Sequence, residues 1–260
     1  MTPASSAREE NQLLAALPWA EWLLLEPHLQ RVALLPGAML HDAGEVLQHV
    51  HFPATAVVSL VSSMRDGTSA EVAVVGNEGV IGVCAFMGGG RAYSGAVVQS
   101  AGHGWRMSAQ SIAGHASRCA ALMQPLLRYT QALFTQMAQT SACNRHHGLD
   151  QQLCRWLLLN LDRRDGNELA MTHERIAGLL GVRREGVTCG ALKLQKAGLI
   201  SYARGRISVL DRSGLEARSC ECYAVVSQAY GRKPGAPAAS PPARERRVPV
   251  PQAALWCEAA

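Results

Sequence analysis

The segment that most constrains the fold of this 260-residue chain is LAMTHERIAGLLGVRREGVTCGALKLQKAGLISYARGRISVLD, Leu169 to Asp211. Thr172, with Glu174 and Arg175 behind it, supplies an N-cap for a helix that sets Ile176, Ala177, Leu179 and Leu180 on or near one apolar face. Gly181 follows four residues after Ala177, and Val187 six after Gly181. Each spacing has a physical cause. Ala177 is small where a second helix must cross it, Gly181 permits the positive φ of a sharp corner, and Val187 plugs the second helix into the first. The pattern predicts a helix-turn-helix whose second helix, about Arg184 to Lys196, presents Arg184, Glu185, Thr188 and Cys189 outward at its N-terminal end. LISYARGRISVL then reads as two β-rich runs around Ala203-Arg204-Gly205, a wing with Arg204 and Arg206 placed for phosphates.

Charge supports this reading. Between Met171 and Leu210 seven Lys and Arg (Arg175, Arg183, Arg184, Lys193, Lys196, Arg204, Arg206) face two acids (Glu174, Glu185), a local excess equal to the net +5 of the whole chain. Neutralising phosphates releases condensed counterions, so a patch of this kind suits a polyanion. The expected set for double-stranded DNA is Thr172, Arg183, Arg184, Glu185, Thr188, Cys189, Lys193, Arg204 and Arg206. Gly186 and Gly190 each cost the second helix about 1 kcal/mol relative to Ala. They are therefore expected to permit close backbone approach, to DNA or to the first helix.

Upstream the grammar differs. Leu13, Leu14, Leu17, Trp22, Leu25 and Leu29 suggest short helices broken by Pro18 and Pro27. From Arg31 to about Met107, short apolar runs alternate with turn signals, which argues for a compact antiparallel barrel or jelly roll. Asp66-Gly67 is the strongest hairpin signal among them. Helical period returns from Ala109 to about Asn144, where Met123, Leu126, Thr130, Leu133, Met137 and Thr140 step as an a/d seam. Such a seam fits a homodimer interface, and its alternative is packing on the barrel of the same chain. The fold class is thus α+β: a sensor barrel over 12–117, a dimerisation helix over 118–147 and a winged helix-turn-helix over 148–218. A Pro-, Ala- and Arg-rich tail over 231–260 reads as disordered.

VVGNEGVIG, MTHERIAGLLGVRREGV and LQKAGLISYARGRISVLD resemble the Crp/Fnr family of bacterial transcription regulators, over about Asn11 to Leu215. The resemblance implies a cyclic-nucleotide-binding-like barrel, a homodimer, DNA as target and RNA polymerase as a candidate partner. It implies that Arg184 and Glu185 are the base-reading pair, Arg forking onto guanine and Glu accepting from a cytosine amino group. Cys189 stands where family members often have Arg, so the target sequence should differ from theirs. Gly79, Val80, Arg91 and Ser94 fall in the region of the effector pocket. There the family's Gly-Glu reads Gly79-Val80, its Arg-Ser falls near Tyr93-Ser94, and Arg91 is displaced. Without an acid for the ribose and a registered Arg for the phosphate, the expectation is a degenerate effector domain not responsive to cyclic AMP, read by an unknown small-molecule or redox signal.

The eight cysteines (Cys84, Cys119, Cys143, Cys154, Cys189, Cys220, Cys222, Cys257) include no C-x-x-C pair. This argues against a disulfide framework or a structural zinc site and fits a reducing compartment. The family's iron–sulfur mechanism needs N-terminal cysteines, and none precedes Cys84. No metal or cofactor is expected. Acids near the start, where a signal peptide is apolar, and the lack of a membrane-length apolar run lead to a cytoplasmic expectation with no membrane partner. Two rival readings remain: a cupin-like metalloenzyme, in which His49 and His51 share one side of a strand, and a haem or redox sensor. His146-His147 lies near the hinge between dimer helix and DNA domain, where protonation or ligation could bias domain orientation. Cys220-Glu221-Cys222 is too closely spaced for an unstrained disulfide and receives no function. The sequence shows no nucleophile–base set, Walker loop or dinucleotide fingerprint, so the expectation is a non-enzyme.

Overall fold

The computed structural model describes residues 5–232; the predicted tail, from residue 233 onward, lies outside them. Three short helices open the chain: α1 (Ser5–Glu10), α2 (Gln12–Ala15) and α3 (Trp19–Leu25). Fully buried Asn11 holds them to the barrel. Its side-chain oxygen accepts from the Leu13 and Leu14 amides, each at 3.1 Å, while its amide donates to the carbonyls of Pro53 and Gly79, each at 2.9 Å.

Seven strands follow: β1 (Gln30–Leu34), β2 (Met39–His41), β3 (His49–Pro53), β4 (Val57–Ser63), β5 (Ser69–Val75), β6 (Gly95–Ser100) and β7 (Gly102–Ser108). They form two antiparallel sheets, ordered β1-β7-β3 and β2-β6-β4-β5, and share one core that includes Leu34, Val50, Phe52, Leu60, Val75, Val98, Trp105 and Met107. This is the jelly-roll arrangement expected. Asp66 closes the β4–β5 hairpin by accepting from the Thr68 amide at 2.9 Å, with Gly67 at φ 86°.

Helix α4 (Ala109–Ala116) leads to α5 (Ala120–His146), whose 27 residues extend about 40 Å at the usual rise per residue. Here the structure corrects the predicted seam. Leu126 and Leu133 belong to the barrel core, Met123 and Met137 pack against it, and Thr130 and Thr140 are buried within the same chain. The exposed stripe lies one residue further on, at Leu127, Gln131, Phe134 and Ala138, with Leu127 50% and Phe134 49% exposed. Two rows of similar period run side by side on α5. The barrel takes the more apolar one, because its core offers more area to bury.

The C-terminal half comprises α6 (Leu149–Leu161), β8 (Glu168–Ala170), α7 (His173–Leu180), α8 (Arg184–Lys196), β9 (Ile200–Ala203), β10 (Arg206–Val209), α9 (Arg212–Arg218) and α10 (Glu221–Ala229). It builds a second core against the outer face of the four-stranded sheet. Val58, Leu60, Ala73 and Val75 point into the barrel, whereas Val57 and Val74 point the other way and join Trp156, Leu157, Ile176 and Leu180. Among the described residues no helix is long and apolar enough to cross a membrane.

Two buried polar links cross the same junction. Arg163, after α6, donates from Nε to Glu78 Oε1 at 2.7 Å and from Nη2 to Gln136 Oε1 of α5 at 2.8 Å, with side-chain exposures of 0% for Arg163 and 3% for Glu78. Its Nη1 reaches the Leu159 carbonyl at 2.7 Å, and its guanidinium lies 5.2 Å from the centre of the Tyr230 ring. In the second link Glu71 of β5 accepts from the Ser59 hydroxyl at 2.5 Å and from the Trp156 indole of α6 at 3.0 Å. Burial pushes the Glu71 carboxyl up from 4.5 to about 7, although Ser59, Arg155 and Trp156 all favour the charged form.

Removing one partner of a buried pair strands the other charge, so Glu78→Gln should destabilise the protein by about 3–5 kcal/mol in denaturant unfolding. The double replacement Glu78→Leu with Arg163→Met should cost less than either single change. For Glu71, the folded state binds a proton more tightly than the unfolded chain. Its contribution therefore falls as pH rises from 4.5 to about 7 and is flat above. Thermal unfolding of Glu71→Gln across this range should show the variant gaining on the wild type as pH rises.

Candidate nucleic-acid interface

The helix-turn-helix forms as its residues dictate. Thr172 Oγ1 accepts from the Arg175 amide at 3.3 Å to cap α7, and Gly181 ends that helix at φ 67°. Val187 is fully buried and Ala177 3% exposed where α8 crosses α7. The wing is the hairpin β9–β10, with β8 on its other side in the order β8-β10-β9. Its tip, Arg204-Gly205, has positive φ at both residues (49° and 73°), the two-residue connection whose twist matches the flanking strands.

Arg183, Arg184, Glu185, Lys193, Arg204 and Arg206 are exposed, and Cys189 is half-buried. Three of the cations hold acids across the surface: Arg184 to Glu174 at 3.8 Å, Lys193 to Asp150 at 3.3 Å and Arg206 to Glu168 at 3.5 Å. Exposed pairs of this sort contribute little, so phosphate can displace the acids at small cost. Thr188 also bonds within the chain. Its hydroxyl donates to the Arg184 carbonyl at 3.0 Å and meets His173 Nδ1 at 3.1 Å, and the His173 ring stacks on Tyr202 of the wing with centroids 4.0 Å apart. Burial, then Arg184, holds His173 below the ordinary imidazole range. Half-buried Thr188 thus ties α8 to α7 and, through His173, to the wing.

The two helix glycines also find a different partner. A Cβ at Gly186 would lie 2.8 Å from Leu149 Cδ2, and one at Gly190 would lie 3.2 Å from Leu153 Cδ2. The close approach is to α6, which precedes the helix-turn-helix, rather than to α7 or to DNA.

Of the four residues expected around an effector, Gly79 and Val80 are packed and Arg91 and Ser94 are not fully buried. A Cβ at Gly79 would lie 2.1 Å from the Tyr129 ring of α5, and Val80 is fully buried. Arg91 is exposed and donates to the Gly44 carbonyl at 2.8 Å, while Ser94 is half-buried. His49 and His51 have ring centroids 6.4 Å apart. Among the described residues a group of three or more side chains able to share a metal ion occurs in one place, and it is not in the barrel: Cys143, His147, Cys220 and Cys222. Sequence spacing could not reveal it, because Cys143 and Cys220 are 77 residues apart.

Residues 151–218 match the Crp-like helix-turn-helix domain. A structure ascribed to a Crp/Fnr-family transcriptional regulator of Eubacterium rectale superposes with TM-score 0.62 at 20% identity, over 81% of this chain and 98% of that one. FixK2 of Bradyrhizobium japonicum superposes at 0.63 with 16% identity, over 74% and 98%. A CRP-family transcriptional regulator of Thermus thermophilus gives 0.59 with 20% identity, over 73% and 96%. At these identities the likeness is one of fold. No curated protein matches the chain in sequence.

Proposed function

We propose that this chain, a Crp/Fnr-type transcription regulator by its fold and its Crp-like helix-turn-helix at residues 151–218, acts as a homodimer reading a two-fold symmetric DNA site. The observation that carries this reading is the N-terminal end of α8. Arg183, Arg184 and Glu185 are exposed there, outside either core, with only an exposed ion pair to give up. Arg184 would fork onto a guanine and Glu185 accept from a cytosine amino group, while Arg204, Arg206 and Lys193 neutralise phosphates. Cys189 borders that surface.

Two-fold symmetry requires a second copy. The exposed stripe Leu127, Gln131, Phe134 and Ala138 supplies an a/d-spaced face for it, in place of the buried seam. Pairing α5 with its twin would set two recognition helices roughly 34 Å apart, one turn of DNA. An effector or redox signal acting on the barrel would reach α6 and α7 through the shared sheet and shift the population of aligned DNA domains. The packing of Gly79 and Val80 and the surface position of Arg91 support a signal other than cyclic AMP.

Selection of genomic fragments by purified protein should enrich a palindrome, and Arg184→Ala should relax one base position per half-site by about 1–3 kcal/mol. Retention of the same motif by the variant would remove Arg184 as the reader. Leu127→Glu combined with Phe134→Glu should convert dimer to monomer in sedimentation without lowering the unfolding temperature of the barrel. A dimer that persists would move the interface elsewhere.

A further inference from the structure

The cysteine and histidine group joins the two ends of the C-terminal half. Cys143 lies in the last turn of α5 and His147, four residues on, is its C-cap, while Cys220 and Cys222 bracket the start of α10, where Cys220 is the N-cap. All three cysteines are buried, none more than 4% exposed, and His147 is half-buried. We propose that Cys143, His147, Cys220 and Cys222 hold a single zinc ion in a tetrahedral three-cysteine, one-histidine site that clamps the end of α5 to α10.

Geometry carries the proposal. With zinc–sulfur bonds of about 2.3 Å and a zinc–nitrogen bond of about 2.0 Å, tetrahedral ligands stand about 3.8 Å (S···S) and about 3.5 Å (S···N) apart. The Cys143 and Cys220 sulfurs are 3.5 Å apart, Cys222 Sγ is 3.6 Å from His147 Nδ1, and all four ligand atoms lie within 4.8 Å of one another. An iron–sulfur cluster spreads its four protein ligands over two or more irons, so they cannot all lie as close together as ligands of one shared ion. One shared ion fits, and soft thiolates with one imidazole in a tetrahedron select zinc.

The surroundings favour the same species. With His147 Nδ1 turned toward Cys222, its other ring nitrogen lies 3.5 Å from Glu221 Oε1, the carboxylate support that ligating histidines commonly have. Three thiolates and one dication leave a net charge of −1. Arg155, buried and bonded at 3.0 Å to Thr140, which lies about one turn before Cys143, supplies a nearby cation.

The test uses the full chain, reduced and stripped by chelator, titrated with Co(II) alone and then with Zn(II). The expected result is one equivalent of Co(II) per chain, showing thiolate charge-transfer and tetrahedral d–d absorption, displaced by one equivalent of Zn(II). Cys143→Ser and Cys222→Ser should each abolish the charge-transfer spectrum, while Cys84→Ser, in the barrel, should keep it. His147→Cys should bind with stronger charge transfer, so that a folding failure of the serine variants leaves a positive readout. Glu221→Gln should lower zinc affinity about 10- to 100-fold. Absence of thiolate charge transfer in reduced wild type, its survival in Cys143→Ser, or a Cys143–Cys220 disulfide whose reduction restores no metal binding would each overturn the proposal. The readout needs no DNA and is independent of the regulatory reading.

Discussion

The buried pair of Arg163 and Glu78 is the constraint on which the arrangement of the two halves rests. Glu78 belongs to the barrel, Arg163 to the chain leaving α6, and Gln136 of α5 accepts from the same guanidinium. One side chain therefore references three elements that the sequence places far apart. A fully desolvated guanidinium admits few geometries, because each lost hydrogen bond exposes a charge to an apolar medium. The Tyr230 ring, just beyond α10, closes the fourth side.

Around that pair the hydrophobic contribution is equally two-sided. Alternating side chains of β4 and β5 serve one core inside the barrel and another beneath the helix-turn-helix. Neither half keeps its apolar surface covered if they separate, since Val57 and Val74 would then meet water. Arg175 adds a polar tie from the first helix of the motif to the Val98 carbonyl of the barrel at 3.1 Å. The helix-turn-helix elements are thus packed directly on the wall of the barrel.

What was legible in the sequence was local. Thr172, Ala177, Gly181 and Val187 each answer to a neighbour only a few residues away, and the wing and the Asp66-Gly67 hairpin do likewise. Burial that depends on distant partners was not. The α5 stripe was correct in period and wrong in destination, because periodicity states that a face is covered without saying by what. Gly186 and Gly190 had a reason to be small, but their neighbours Leu149 and Leu153 lie in a helix outside the motif. The metal-capable group escaped for the same reason: scanning for C-x-x-C detects a knuckle made by one loop, whereas here two helix ends contribute a pair each.

Gly79 has a mechanical consequence. Tyr129 lies where even a methyl group at this position would have to go, and the Gly79 carbonyl is held by Asn11 from the other direction. The loop sits between the first helices of the chain and α5, with Asn11 on one side and Tyr129 on the other. A movement of the barrel edge at this point would press on Tyr129 and, through it, on α5. The glycine gives the fold a hard stop, and hard stops convert small local shifts into rotation of a long lever.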